Sequence, residues 1–312
     1  MINFLKYKNI YFIFSGILII LSLFAIFFWG LNLGVDFRGG SILEVSFAEE
    51  VSIERVREVL KTETIREKIP EMTIQEIDKE MGASFLIRMG EKEEITGTEQ
   101  KTIIISSLAE LGEVEKDRFG SISGLIGKEI VNSMVIVAIL AIILVISYIA
   151  FAFRQVSKPV PSWYYGTTSF IALFHDILII LGVLAVLGHF YGVTITIPII
   201  TGLLVIWGYS INDTIVVFDR IRENLSKIKD KKRIEARYED IVNQSLNETI
   251  IRSINTSLTT LLAIVAIFFV GGVALRYLIL TLMIGIIVGT YSSLFLASPL
   301  LILWANRKKF TK

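Results

Sequence analysis

Six apolar stretches divide the chain into hydrophobic and polar segments. They cover residues 10–31, 130–153, 167–188, 199–218, 254–272 and 278–304. Each has roughly the 20 residues that a helix rising about 1.5 Å per residue needs to cross about 30 Å of hydrocarbon. The pattern therefore predicts an α-helical membrane protein with six transmembrane helices.

One long polar segment, residues 32–128, separates the first two spans. Within it, alternation typical of strands and spacing typical of helices follow one another in the order βαββαβ, over residues 41–47, 52–63, 72–77, 84–89, 98–111 and 114–122. That order is typical of the ferredoxin-like fold, in which two helices cover one face of an antiparallel sheet. We therefore expect an α+β domain between helices 1 and 2.

Basic residues predict the orientation, because Lys and Arg near span ends are retained on the cytoplasmic side. They precede span one, lie between spans two and three and between four and five, and follow span six, whereas the connection 189–198 has none. We therefore expect residues 1–31 to be a cytoplasmic N-terminus with helix 1 and residues 32–128 to be extracytoplasmic. Residues 129–304 then hold helices 2–6, and 305–312 form a cytoplasmic tail.

Composition supports the membrane class and excludes several functions. With 53% hydrophobic residues and a mean hydropathy of +0.66, the chain is unlike a soluble globular protein. A net charge of +1 and the lack of a polybasic arm give no sign of nucleic-acid binding. Because the chain has no cysteine, disulfides, thiolate catalysis and cysteine-ligated metal are excluded, and we predict no cofactor.

Two charged residues inside adjacent spans are the main candidates for function. Asp213 lies near the end of span four and Arg252 opens span five, at a depth that the two can share. A charge inside hydrocarbon costs about 2.5 to 3.5 kcal/mol, so such residues are expected to pair, to act, or both. Attraction to a guanidinium favours the charged form of Asp213, whereas desolvation favours its protonated form. The site can therefore switch between the two protonation states. A static ion pair is the alternative.

Further polar residues in the spans are candidates for a proton relay or for structural hydrogen bonds. They are His175, Asp176, Asn212, Asn255 and Thr256. In span five, Arg252, Thr256 and Thr259 fall on one helical stripe, with Asn255 beside it. In span six, Gly285 and Gly289 have the GxxxG spacing of a close helix contact, within this chain or with a partner.

Enzymatic function is disfavoured by the motifs. The chain has no HExxH, no GxSxG and no GxxxxGK[ST], which would indicate a metalloprotease, a nucleophile elbow and a phosphate-binding loop. The intramembrane acids also lie in unlike contexts, with an arginine expected beside one of them. We therefore predict a protein that is not an enzyme.

Four motifs together carry a resemblance to a known family. They are GVDFRGG at 34–40, FHD at 174–176, GYSINDTIVVFDRIREN at 208–224 and RSINTSLTTLL at 252–262. They resemble the SecD/SecF family, accessory proteins of the Sec export pathway that are related to the proton-driven resistance-nodulation-division transporters. Arg38 departs from the pattern, since a small polar residue often stands there.

The resemblance implies a subunit that works with SecD and uses the proton-motive force to promote preprotein export. It implies proton translocation at Asp213 and Arg252, and a junction motif at Gly34, Asp36, Gly39 and Gly40. The implied partners are SecD, the SecYEG translocon, the unfolded preprotein and protons, with YajC as a further candidate. The location would be the cytoplasmic membrane of a prokaryote. A stand-alone proton-coupled exporter of small molecules or lipids is the alternative.

Overall fold

The computed structural model describes residues 2–69, 72–78, 84–90, 95–122, 124–154, 160–228, 230–270, 272 and 275–310. In chain order its elements are α1 (Lys8–Trp29), α2 (Val35–Arg38), β1 (Gly40–Phe47), α3 (Ile53–Leu60), α4 (Glu63–Lys68), β2 (Met72–Asp78), β3 (Ser84–Gly90), α5 (Gly97–Leu108), β4 (Val114–Ile122), α6 (Gly124–Ala152), α7 (Ser162–Tyr191), α8 (Ile197–Ser226), α9 (Lys231–Val270), α10 (Arg276–Ser292) and α11 (Ser298–Phe310). A 3-10 turn, Phe4–Tyr7, precedes α1, and one π-helical turn, Ser293–Ala297, joins α10 to α11.

Six helical segments are long and apolar enough to cross a membrane, as predicted. The protein is therefore a multi-pass membrane protein. Spans three, four and six form the buried centre of the bundle, whereas spans one, two and five are mostly exposed along their length. The isolated chain thus presents large apolar and polar helix surfaces to its surroundings.

The charged connection between spans four and five is shorter than the sequence indicates. The charged run at 227–237 has the composition of a solvated loop, but α9 already begins at Lys231 and continues to Val270, with a kink at Arg237. Its first turns are ordered because Tyr238, Ile241 and Leu246 are buried against the core of the bundle. Tertiary packing therefore extends this helix well beyond its apolar span.

The segment between α1 and α6 has the predicted α+β fold. Its four strands form one antiparallel sheet in the order β2-β3-β1-β4, the arrangement expected from a βαββαβ chain. Alternate residues of the strands face the helices, so Leu43, Val45, Phe85 and Ile87 are fully buried. A capping box at Thr96 fixes the start of α5. The short helices α2 and α4 were not predicted.

The glycine motif joins this domain closely to the bundle. The Gly34 amide donates to Ile195 O at 2.8 Å, and the Asp36 carboxylate accepts from the amide of Ile197 at 3.1 Å, where α8 begins. Gly40 has a φ of +143°, and a Cβ there would overlap the Met89 carbonyl oxygen. Only glycine fits this position, so the motif fixes the passage from membrane to domain.

Candidate functional site

Asp213 is buried in the membrane bundle with part of its hydrogen-bonding capacity unused. It projects from α8, is 7% exposed, and its Oδ2 has no hydrogen-bond partner among the described residues. Across the interface with α9, the Ser253 hydroxyl is close enough to interact with the Asp213 carboxyl group, and it too is buried without a full hydrogen bond to any described residue. A buried carboxyl oxygen without a partner is costly, so this group can gain a proton or a new contact.

Arg252 does not pair with Asp213 in this structure. Its side chain is exposed, because the neighbouring Ser253 occupies the face of α9 that is turned towards α8. Successive residues of a helix differ in direction by about 100°, so the two charges share a depth but point apart. The pairing of the two charges, one of the outcomes expected from the sequence, is therefore not formed in this structure.

Three further polar candidates from the span-four and span-five motifs also face outward. Asn212 is exposed on α8, and Asn255 and Thr256 are exposed on α9. The Thr256 hydroxyl donates to the backbone carbonyl of Arg252 at 2.9 Å, and Thr259 donates to that of Asn255. Arg252, Asn255, Thr256 and Thr259 thus form an exposed polar stripe along α9, and none of them lines the buried site.

A second carboxylate, Asp176, lies at the centre of a buried polar cluster. It is 0% exposed, and its Oδ2 accepts from Ser210 Oγ at 2.6 Å and from Ser292 Oγ at 2.8 Å. Its Oδ1 lies 2.9 Å from Nδ1 of His175 on the same helix. The polar cluster, defined as these four residues, thereby ties α7 to α8 and α10.

The cluster continues into the π-helical turn at 293–297. Ser293 Oγ lies 2.8 Å from Thr214 Oγ1 and also donates to the carbonyl of Ser210 at 3.2 Å. Thr214 is adjacent to Asp213, so the turn contacts α8 at the level of the candidate site. Turns of π-helix occur often at functional sites.

Sequence reasoning found Asp176 and His175 but missed the hydroxyl groups of the surrounding hydrogen-bond network. Ser210, Ser292 and Ser293 lie in apolar spans, where a serine can equally well bond its own helix. A signal was present in Ser210, which is three residues before Asp213 and therefore on nearly the same helix face. Gly285 and Gly289 approach Ile206 and Ser210 of α8, so their close contact lies within this chain.

Comparisons with known proteins agree with these motifs. Residues 103–307 match the family model described as protein export membrane protein SecD/SecF, C-terminal, and residues 24–51 match the SecD/SecF GG motif. The protein translocase subunit SecF of Thermobaculum terrenum is 37% identical over 98% of this chain and 95% of its own length. That of Sebaldella termitidis is 38% identical over 98% of this chain and 92% of its own.

Relatives named SecDF contain the same unit within a longer chain. The protein translocase subunit SecDF of Thermus thermophilus is 33% identical over 91% of this chain, which matches 36% of the relative. The crystal structure of SecDF from Thermus, described as a translocon-associated membrane protein, superposes with a TM-score of 0.78 at 32% identity, covering 98% of this chain and 39% of that one. The chain therefore belongs to the SecF family of protein translocase subunits.

Proposed function

We propose that this Sec accessory subunit uses the proton-motive force, together with SecD, to promote preprotein export, and that Asp213 carries the proton. The observation that supports this role is the buried Asp213 carboxyl group with its unpartnered Oδ2. The Asp176 carboxylate is bonded to His175, Ser210 and Ser292, so it holds the helices in place and we assign it a structural role.

Arg252 supplies the second charge of the mechanism. It lies one residue from Ser253, so a rotation of α9 by about 100° exchanges the serine for the guanidinium at Asp213. Proton loss from Asp213 favours this exchange, because a carboxylate attracts the cation and a neutral acid does not. One elementary charge moving through 100 mV is worth about 2.3 kcal/mol, which can bias such a two-state movement.

SecD is the partner that this arrangement requires. The exposed polar stripe of Arg252, Asn255, Thr256 and Thr259 would face lipid in an isolated chain, at a cost for every unsatisfied polar group. A helix of SecD packed on the stripe would bond these groups. With both termini in the cytoplasm and the α+β domain outside, the pair would act beside SecYEG, with YajC as a further partner, on the unfolded preprotein.

Export in a strain that depends on this chain tests the role of Asp213. We expect Asp213→Asn to abolish the gradient-dependent share of export of a Sec preprotein, since asparagine keeps the size and removes the proton. Asp219→Asn is the matched control, because Asp219 is exposed on the same helix six residues later. Normal export by Asp213→Asn, at a wild-type level of assembly with SecD, would contradict the proposal.

A further inference from the structure

Two adjoining cavities lie between the α+β domain and the membrane bundle. One has a volume of about 490 Å³ and the other about 310 Å³, and both are lined by Met72 and Thr73 at the start of β2. The opposite wall is the connection between α7 and α8, through Tyr191 and Gly192 in the larger cavity and Thr194 in the smaller. We name the two together the interfacial cleft.

The interfacial cleft is strongly cationic. Arg57, Lys61 and Arg66 line the larger cavity, and Arg38 and Arg88 line the smaller. Among the described lining residues none is acidic. Within the described part of the chain, the side chains of Arg57, Lys61 and Arg66 form no ion pair or hydrogen bond. Their positive charge is therefore available to a ligand.

The smaller cavity contains one half-buried and one buried polar group that an anion would satisfy. Arg88 donates to Gln75 at 2.7 Å, and its burial lowers the pKa of the guanidinium, although attraction to Asp36 and Tyr277 partly offsets this. The hydroxyl of Thr194, a residue that is 8% exposed, has no hydrogen-bond partner among the described residues. A half-buried guanidinium and an unbonded hydroxyl together suit an anionic oxygen ligand.

Aromatic residues place the cleft at the surface of the membrane. Trp29 at the end of α1 stacks on His189, with ring centroids 5.2 Å apart, and Phe190 and Tyr191 are 62% and 75% exposed. Tryptophan and tyrosine are enriched at the level of lipid headgroups. Because Tyr191 also lines the larger cavity, the cleft opens where headgroups lie.

We propose that the interfacial cleft binds the phosphate headgroup of an anionic phospholipid from the leaflet on the side of the α+β domain. The positive charge of the cleft complements an anionic headgroup, and the cleft lies at the depth of the headgroups. Both cavities fall in the size range of small-molecule sites, about 300 to 1,000 Å³. An acidic peptide shares the charge but not this depth, so the position favours the lipid. The inference does not depend on proton coupling at Asp213.

Lipid retention by the purified full-length chain tests the site, measured by native mass spectrometry with short-chain phosphatidylglycerol. We expect Arg57→Gln with Arg66→Gln to weaken binding about thirtyfold, given the contribution of each basic residue at an anionic surface. The matched control is Arg55→Gln with Arg118→Gln, which removes two exposed arginines outside the cleft. The control should bind like the wild type, and Arg57→Lys with Arg66→Lys should retain most of the affinity.

Three comparisons can overturn the proposal. Equal loss in the test and control pairs would show a general charge effect, provided that both variants unfold at the wild-type temperature without lipid. Equal binding of phosphatidylcholine with the same acyl chains would remove the role of the anionic headgroup. Free glycerol phosphate binding as tightly as the lipid, or an acidic peptide displacing it, would assign the cleft to a soluble anion or to a peptide.

Discussion

At the scale of single residues, the two buried carboxylates differ in how fully they are bonded. Asp176 accepts hydrogen bonds from two serine hydroxyls and contacts His175, whereas one oxygen of Asp213 has no hydrogen-bond partner in the part of the chain that the structure describes. A fully bonded charge is held in one arrangement, since each movement breaks several hydrogen bonds. An incompletely bonded carboxyl group can change its arrangement without breaking several hydrogen bonds. This contrast is the basis of the structural role proposed for Asp176 and of the proton-carrying role proposed for Asp213.

Removal of the Asp176 carboxylate should destabilise the bundle severely. We expect Asp176→Ala to lower the free energy of unfolding by roughly 3 to 5 kcal/mol, because His175, Ser210 and Ser292 lose a buried partner together. Denaturation of the purified protein in detergent micelles measures the loss. Asp219→Ala, which removes an exposed carboxylate, should cost no more than about 1 kcal/mol. Equal losses for the two variants would show that the polar cluster is not structural.

At the scale of elements, the sequence predicts helices and strands that follow from a repeating apolar pattern. It does not predict features that depend on contacts with another element. The spans and strands follow from apolar periodicity, and β1 differs from its predicted bounds by one residue. The direction of Arg252 does not follow from this pattern, because adjacent residues point about 100° apart and only packing selects Ser253. The start of α9 at Lys231 depends likewise on contacts of Tyr238 and Leu246 with the bundle.

Small residues let α10 approach α8 closely, and this contact gives a test by paired substitution. A Cβ at Gly285 would overlap the side chain of Ile206, which is 1% exposed and cannot move aside. We expect Gly285→Ala to destabilise the protein by about 1 to 3 kcal/mol through overpacking. Combined with Ile206→Ala, it should cost less than the sum of the single changes.

Denaturation in detergent micelles of the wild type, the two single variants and the double variant measures this coupling between Gly285 and Ile206. Gly16→Ala on α1 is the matched control, because a Cβ there has no atom within 4 Å. It should be neutral or slightly stabilising, since alanine favours a helix over glycine. If the free-energy changes of the Gly285 and Ile206 variants were strictly additive, α8 and α10 would move apart at no cost in free energy.

At the scale of the whole molecule, the chain has the form of one part of a larger assembly. It matches 39% of the SecDF chain in each of two crystal structures, with TM-scores of 0.78 and, for the super-membrane-facing form, 0.65. Sequence identity to the two is nearly equal, at 32% and 30%.

The polar stripe on α9 predicts where SecD packs, and the absence of cysteine from the chain makes the test direct. We expect a cysteine introduced by Asn255→Cys to react quickly with a lipid-soluble maleimide in the isolated subunit and at least tenfold more slowly in the complex with SecD. The reason is that polar groups within the membrane are stabilised by a protein neighbour and not by lipid. The measurement is the rate of labelling in proteoliposomes with and without SecD.

Leu144→Cys on α6 is the control for this labelling, because Leu144 is 68% exposed and belongs to a different face of the bundle. Its rate should not change with SecD, since the apolar surface of α6 is compatible with lipid and needs no protein cover. Protection of position 144 instead of 255 would place SecD on α6. The stripe would then remain exposed to lipid, and Arg252 could reach a partner only by turning towards Asp213 within its own chain.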